Sequence, residues 1–205
     1  HNCLVGSEMC IRDRSYTLVI KSPRIEIVAH SVYGAMYAIE SFSQLVSREG
    51  FVNGTTIIDV PRFQFRSSMI DTARHWLPLE TIFAHLDAMM YNKMNVLHWH
   101  VVDSQSFPYC SYTFPTLCEE GAYSQTHVYH RDDVEKVVDY ATKRGIRVIP
   151  EFDTPGHVRE GLKTISNLLT QCYDPKTGKP NGQTGPLNPT LDSTYNFLKK
   201  FYAEI

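Results

Sequence analysis

Three carboxylates stand where apolar runs end. Ser68-Met69-Ile70 runs into Asp71, followed by Thr72-Ala73-Arg74-His75. The run from Leu97 to Val102 meets Asp103, followed by Ser104 and Gln105. The run from Arg147 to Phe152 meets Asp153, followed by Thr154-Pro155-Gly156-His157. A charge at the end of a buried strand must be solvated or paired. Several carboxylates and a histidine over one cavity shift one another's pKa, as acid–base catalysis requires. Arg74 adds a planar fork that binds vicinal or planar oxygen pairs bidentately. Pro155 and Gly156 build a sharp turn that aims His157 back over the same end.

His98-Trp99-His100 raises a second chemistry. Two histidines two apart on a barrel strand hold metal in amidohydrolase-type enzymes. Side chains alternate between the faces of a strand. If Asp103 points into the barrel, Trp99 and Val101 join it, and His98 and His100 face the helix layer. That parity separates the histidines from Asp103. It favours buried, hydrogen-bonded core residues over metal ligands, so no metal is expected.

The composition sets bounds on the elements that must position these groups. With 42% hydrophobic and 20% charged residues and a net charge of -2, the chain is ordinary globular protein without a nucleic-acid-binding stripe. No apolar run reaches the length of a membrane span. Five cysteines in no zinc spacing argue against a metal ribbon. Leu4 to Arg14 matches the translation of a common transposase sequencing adapter, so 1–15 is read as an artefactual tail and set aside. Cys3 and Cys10 leave the cysteine arithmetic with it.

Tyr16 to Ile20 and Arg24 to Ala29 read as strands joined at Ser22-Pro23. His30 to Val46 carries helical periodicity, with Gly50 as a stop. Phe51 to Val60 is extended, with Asn53-Gly54 as a turn. Residues 16–60 thus read as the end of a small α+β domain. Asn53-Gly54-Thr55 also fits the glycosylation acceptor pattern. From Pro61 the rhythm becomes strand, helix, strand, helix. Strands are expected over 65–71, 96–102 and 146–152. Helices are expected over 78–93, 130–144, 158–169 and 190–205, the last capped by Thr190.

Alternating strands and helices predict a parallel sheet with right-handed crossovers. The turn Asp71-Thr72-Ala73-Arg74-His75 lacks the glycine-rich phosphate loop of a dinucleotide fold. Charged groups at successive strand exits suit a (β/α)8 TIM barrel, whose active sites sit at that face. Residues 61–205 would then supply about three of its eight strands, and the chain is read as a fragment.

The segments Asp71-Thr72-Ala73-Arg74-His75-Trp76-Leu77-Pro78, Asn95 to Pro108, and Pro150-Glu151-Phe152-Asp153-Thr154-Pro155-Gly156-His157 resemble the signatures of glycoside hydrolase family twenty. This is the β-N-acetylhexosaminidase family, and the likeness is greatest to its animal lysosomal type. The resemblance implies a small α/β domain before a (β/α)8 barrel. It also implies substrate-assisted retaining release of terminal β-linked GlcNAc or GalNAc. Arg74 would grip hydroxyls of the terminal sugar. Asp103 and His157 would pair to support a catalytic Glu, Asp153 would fix the mouth of the site, and Asp71 would be structural. The resemblance further implies no cofactor and a dimer, and together with the Asn53 acceptor pattern and the cysteine usage it points to a lysosomal or secreted location. Its substrates would be N-acetylhexosamine-terminated oligosaccharides, glycoconjugates or chitin oligomers.

Two departures stand out. Ser104 occupies a position where the family commonly has a second Asp. The catalytic Asp-Glu pair, carried in a Gly-Gly-Asp-Glu motif, does not occur in these 205 residues, so the chain by itself is expected to be inactive. A metal-dependent amidohydrolase and a non-catalytic sugar-binding module are the alternatives. Cys110 and Cys118 lie close enough in sequence to close a short bridge. The resemblance implies that Cys172 pairs with a cysteine just after the Asp-Glu motif.

Overall fold

A computed structural model describes residues 14–163, 165 and 167–205. Most of the tail assigned to 1–15, with Cys3 and Cys10, lies outside the described residues, as do Thr164 and Ser166 in the helix expected over 158–169. The chain forms two compact units. One holds the described residues through Ser67 together with Asp87–Val96, and the other holds Ser68–Leu86 together with Leu97–Ile205.

The first unit is an antiparallel sheet of order β2-β1-β3, made of β1 (Tyr16–Lys21), β2 (Arg24–Ala29) and β3 (Thr55–Asp59). Alternation sends Tyr16, Leu18 and Ile20 to one face. They are buried there with Tyr37 and Ala38 of α1 (Val32–Leu45). Ser31 caps α1 by accepting the Gly34 N–H at 3.2 Å. Position 34 must be glycine, because a Cβ would sit 2.6 Å from the Ser15 carbonyl oxygen. Arg14 is buried, donates to the Tyr37 hydroxyl at 3.1 Å, and lies 4.5 Å from the Tyr33 ring centroid. Lys93 Nζ donates to Asp59 at 2.7 Å, Ser41 at 2.7 Å and Tyr16 at 2.9 Å, which engages all three of its hydrogens. Asn53 is exposed in the loop before β3.

The second unit is built on β4 (Ser67–Asp71) from Ser68 on, β5 (Val96–Val102) from Leu97 on, and β6 (Arg147–Phe152), in the order β4-β5-β6. Helix α2 (Leu79–Tyr91) lies between the first two in sequence; α3 (Thr116–Gly121) and α4 (Arg131–Lys143) lie between the second and third. Arg74 beyond β4 and His157 beyond β6 both reach Asp103 beyond β5. The three exits therefore share one end, and the strands run in one direction. Phe83 of α2 stacks on Tyr140 of α4 with ring centroids 4.3 Å apart. The architecture is mixed α/β.

Two expectations fail here. Among the described residues of the helix expected over 158–169, Arg159–Leu162 are helical, as α5. It is followed by an antiparallel hairpin, β7 (Leu169–Tyr173) with β8 (Pro180–Leu187). The pairing register shifts twice along this hairpin, which blurs the two-residue periodicity that marks strands in a sequence. Its turn is closed by Asp174, whose Oδ1 accepts the N–H groups of Lys176 and Thr177 at 2.7 and 2.9 Å. The last helix, α6, spans Asp192–Tyr202 with Leu191 at the cap. Thr190 does not cap it; its hydroxyl donates instead to Asn188 Oδ1 at 2.7 Å.

Candidate active site

Asp71 ends β4 and organises the turn after it. Its Oδ1 accepts the N–H groups of Ala73 and Arg74, each at 3.0 Å, and its Oδ2 accepts Arg74 Nη1. This local turn throws the guanidinium across to the neighbouring exit. There Nη2 lies 2.6 Å from Asp103 Oδ2, and Nε donates to Gln105 Oε1 at 3.1 Å. Tyr123 donates its hydroxyl to the Arg74 carbonyl at 3.0 Å. Three acceptors thus hold the Arg74 fork in one pose, while its side chain remains 39% exposed. Burial pushes the Asp71 carboxyl up, but Arg74 and the two backbone N–H groups outweigh it and hold it below the ordinary value.

Asp103 is the centre of the site, with a side chain only 1% exposed. The chain turns at once after β5, with Asp103 N–H donating to the Ser106 carbonyl at 3.0 Å. The Ser104 N–H donates to Asp103 Oδ1. His157 Nδ1 lies 3.0 Å from Oδ1 and 3.1 Å from Oδ2, and His100 Nε2 lies 2.8 Å from Oδ2. Burial raises the Asp103 pKa; the contacts from His157, Ser104 and His100 more than reverse this and leave the carboxyl lowered. His157 sits at φ 58, a left-handed backbone for a non-glycine residue. That turn aims the ring at Asp103 and leaves Nε2 3.8 Å from Asp153 Oδ2.

The strand parity is the reverse of the sequence expectation. Trp99 and Val101 line a cavity with Val134 and Val138 of α4, so they face the helix layer. Trp99 donates to Thr72 Oγ1 at 2.8 Å and meets Tyr129 edge-on. His98 and His100 occupy the opposite face with Glu151 of β6, His100 Nδ1 lying 2.9 Å from Glu151 Oε2 and His98 Nε2 facing the same oxygen. The reason is local. Alternation holds only through Val102, the last residue of β5, and the turn at Asp103 swings its carboxylate to the histidine side. Burial pushes the His100 ring down, but Glu151 and Asp103 outweigh it and raise its pKa above the ordinary value. Glu151 is pushed up by burial and lowered further by His100 and His98.

Two sets, His100 with Glu151 and Asp153, and Asp103 with Asp153 and His157, bring their ligand atoms within 4.8 Å of one another. Asp103 Oδ2 already faces the guanidinium of Arg74. A cation bound there would have to displace that positive charge, and the histidine nitrogens would have to give up carboxylate partners.

The loops that carry Asp103 and His157 are locked together behind the site. A Cβ on Gly161 of α5 would lie 2.5 Å from the Phe107 ring, and one on Gly121 of α3 would lie 2.8 Å from the Gly161 Cα. Cys110 and Cys118 form a disulfide at the start of α3. Cys172 lies in β7 and is the free cysteine among the described residues.

The family described as glycosyl hydrolase family 20, catalytic domain, matches residues 63–205. The chain belongs to that family. Beta-hexosaminidase subunit beta of Felis catus is 52% identical over 94% of this chain and 37% of its own length. Subunit beta of Homo sapiens is 51% identical over 94% and 35%. A Flavobacterium johnsoniae chitobiase structure superposes with a TM-score of 0.82 at 32% identity, covering 94% of this chain and 30% of that one. The chain thus spans about a third of the length of the curated relatives it matches.

The family 20 chain brings Asp71, Arg74, Asp103, Asp153 and His157 together, while Asn53 and Cys172 lie on other elements. Sequence reading passed over Glu151, Gln105 and Tyr123 as partners in the site. Glu151 had a readable signal, since a charge between Pro150 and Phe152 inside a strand requires a partner. Gln105 and Tyr123 had none, because their contacts with Arg74 span 31 and 49 positions.

Proposed function

We propose that the full-length protein is a β-N-acetylhexosaminidase that removes terminal non-reducing β-linked GlcNAc or GalNAc. The convergence of Arg74, Asp103 and His157 at one end of β4, β5 and β6 carries this reading. The relatives bear the name beta-hexosaminidase, and their length frames this chain as part of a longer enzyme. Residues 16–60 are the end of a small α+β domain, and 61–205 are the first strands of a (β/α)8 barrel with its active site at the strand exits.

In this reading the 2-acetamido oxygen of the substrate attacks the anomeric carbon as the glycosidic C–O bond breaks. A Glu outside these 205 residues protonates the departing oxygen, and water then opens the cyclic intermediate. Arg74 binds hydroxyls of the terminal sugar through the exposed edge of its fork. Asp103 holds His157, which supports the acid Glu, and Asp153 shapes the mouth of the site. No cofactor takes part. The substrates are N-acetylhexosamine-terminated oligosaccharides, glycoconjugates or chitin oligomers, and the enzyme is a lysosomal or secreted dimer glycosylated at Asn53. Cys172 pairs with a cysteine beyond Ile205. No helix among the described residues is long and apolar enough to cross a membrane.

The test uses the full-length gene product and chromogenic β-GlcNAc and β-GalNAc substrates. Turnover should fall steadily as fluorine is added to the acetamido methyl group, because the attacking oxygen loses nucleophilicity. A rate indifferent to fluorination, or hydrolysis of the simple β-glucoside instead, would overturn the reading.

A further inference from the structure

The mechanism above leaves the buried His100 unused. His100 is 7% exposed, and each ring nitrogen faces a different carboxylate: Nε2 lies 2.8 Å from Asp103 Oδ2, and Nδ1 lies 2.9 Å from Glu151 Oε2. An ionised carboxylate offers only acceptors, and a neutral imidazole carries only one N–H. With one proton, the ring would aim a lone pair at a carboxylate oxygen inside the protein, where repulsion is poorly screened. We propose that His100 is a positioning residue, held as an imidazolium between Asp103 and Glu151, that fixes the orientation and ionisation of Asp103 for His157.

The surroundings support a proton on His100. The groups facing it are Asp103 and His98 from β5 and its exit, Glu151 from β6, Asp71 and Arg74 from the exit of β4, and Asp153 and His157 beyond β6. Four of these are carboxylates, and Arg74 is the one that is always cationic. A second positive charge among them reduces carboxylate repulsion. Asp103 is kept from supplying the missing proton by staying neutral, because the Arg74 guanidinium and the Ser104 N–H both direct donors at its two oxygens. The resulting row alternates in sign: Glu151, His100, Asp103, then Arg74. With Oδ2 held by His100 and Arg74, the carboxylate cannot rotate, and Asp103 presents a fixed edge to His157 Nδ1.

The charge state stands without the hexosaminidase reading, whereas its catalytic consequence rests on that reading. The experiment therefore has two arms, both on the full-length gene product. In the first, the protein carries 15N-labelled histidine, and the signal lost in His100→Gln identifies His100. At about pH 7.5, a unit above the ordinary histidine pKa, both of its ring nitrogens should be protonated. Glu151→Gln should bring that transition to lower pH, and it also identifies the signal if His100→Gln fails to fold. A neutral ring at that pH overturns the inference. In the second arm, His100→Gln should lower kcat about a hundredfold with KM changed less than about threefold, within the range for a group serving acid–base chemistry. Glu151→Gln should move the basic limb of the kcat/KM profile to lower pH. Unchanged kcat and pH profiles in both variants overturn the positioning role. If the wild type turns over no N-acetylhexosaminide while His100 remains an imidazolium, the functional reading fails and the charge state stands.

Discussion

His157 Nδ1 lies 3.0 Å from Asp103 Oδ1, although the two residues are 54 positions apart and leave different strands. Each is brought there by a turn at its own strand exit. Asp103 swings out of the β5 alternation, and His157 takes a left-handed backbone at φ 58. A non-glycine residue in that region costs roughly 1–2 kcal/mol, so the contact is maintained against local preference, a pattern that clusters at functional sites.

Asp103→Asn and His157→Ala in the full-length enzyme should each reduce kcat by roughly 10²–10⁴, the span of acid–base contributions. The double variant should be scarcely worse than the poorer single one, because residues acting as one unit are far from additive. Steady-state kinetics of the four proteins decide this. Losses that multiply would show that the two residues act independently.

Arg74→Lys retains the charge but loses the planar fork that reaches Asp71, Asp103 and Gln105 together. KM should rise by about tenfold or more, equivalent to about 1.4 kcal/mol of binding, while the melting temperature changes little because the ammonium keeps a positive charge beside Asp71 and Asp103. Unchanged kinetics would make Arg74 a surface charge only.

Gly161→Ala should destabilise the fold by about 1–3 kcal/mol, the usual cost of overpacking, because the added methyl meets the Phe107 ring at 2.5 Å. Phe107→Leu in the same background should recover part of the loss. Denaturant unfolding of the single and double variants measures both, and equal stability of Gly161→Ala and wild type would refute the close approach.

Stability should depend on pH at both edges of the site. The Asp103 pKa lies below its ordinary value of 3.8 in the folded protein. Its contribution is therefore present above that value and lost as pH falls through the lower folded one. The His100 pKa lies above its ordinary value of 6.5. Its contribution is complete below 6.5 and lost as pH rises through the higher folded one. Melting temperature against pH should show Asp103→Asn flattening the acid limb and His100→Gln flattening the basic limb. Limbs unchanged in these variants would place the titrating groups elsewhere.

Non-reducing peptide mapping of the full-length protein should recover Cys110 joined to Cys118 and Cys172 joined to a cysteine beyond Ile205. Replacing Cys118 by Ser should cost about 2–3 kcal/mol on the loop-entropy account of an eight-residue separation. A free Cys172 thiol would remove the second bridge.

The strands ending at Asp71, at Val102 and at Phe152, the helices α2 and α4 between them and the carboxylate at each exit were legible from residues alone, whereas the short α3 was read as loop. They are local properties: apolar periodicity, β-branched composition and the abrupt arrival of charge. Arg74 and His157 could be singled out for the same reason, since each follows an exit within a few positions. The β7–β8 hairpin was not legible, because its two register shifts break the alternation on which such a reading depends. Nor was the face that His98 and His100 occupy. Counting by twos from Trp99 to Asp103 is sound only while the strand lasts, and it ends one residue too soon. Only the tertiary structure could decide that His100 joins Asp103 to Glu151, because that choice depends on the turn geometry after Val102 and on the position of β6, some fifty residues away in the chain.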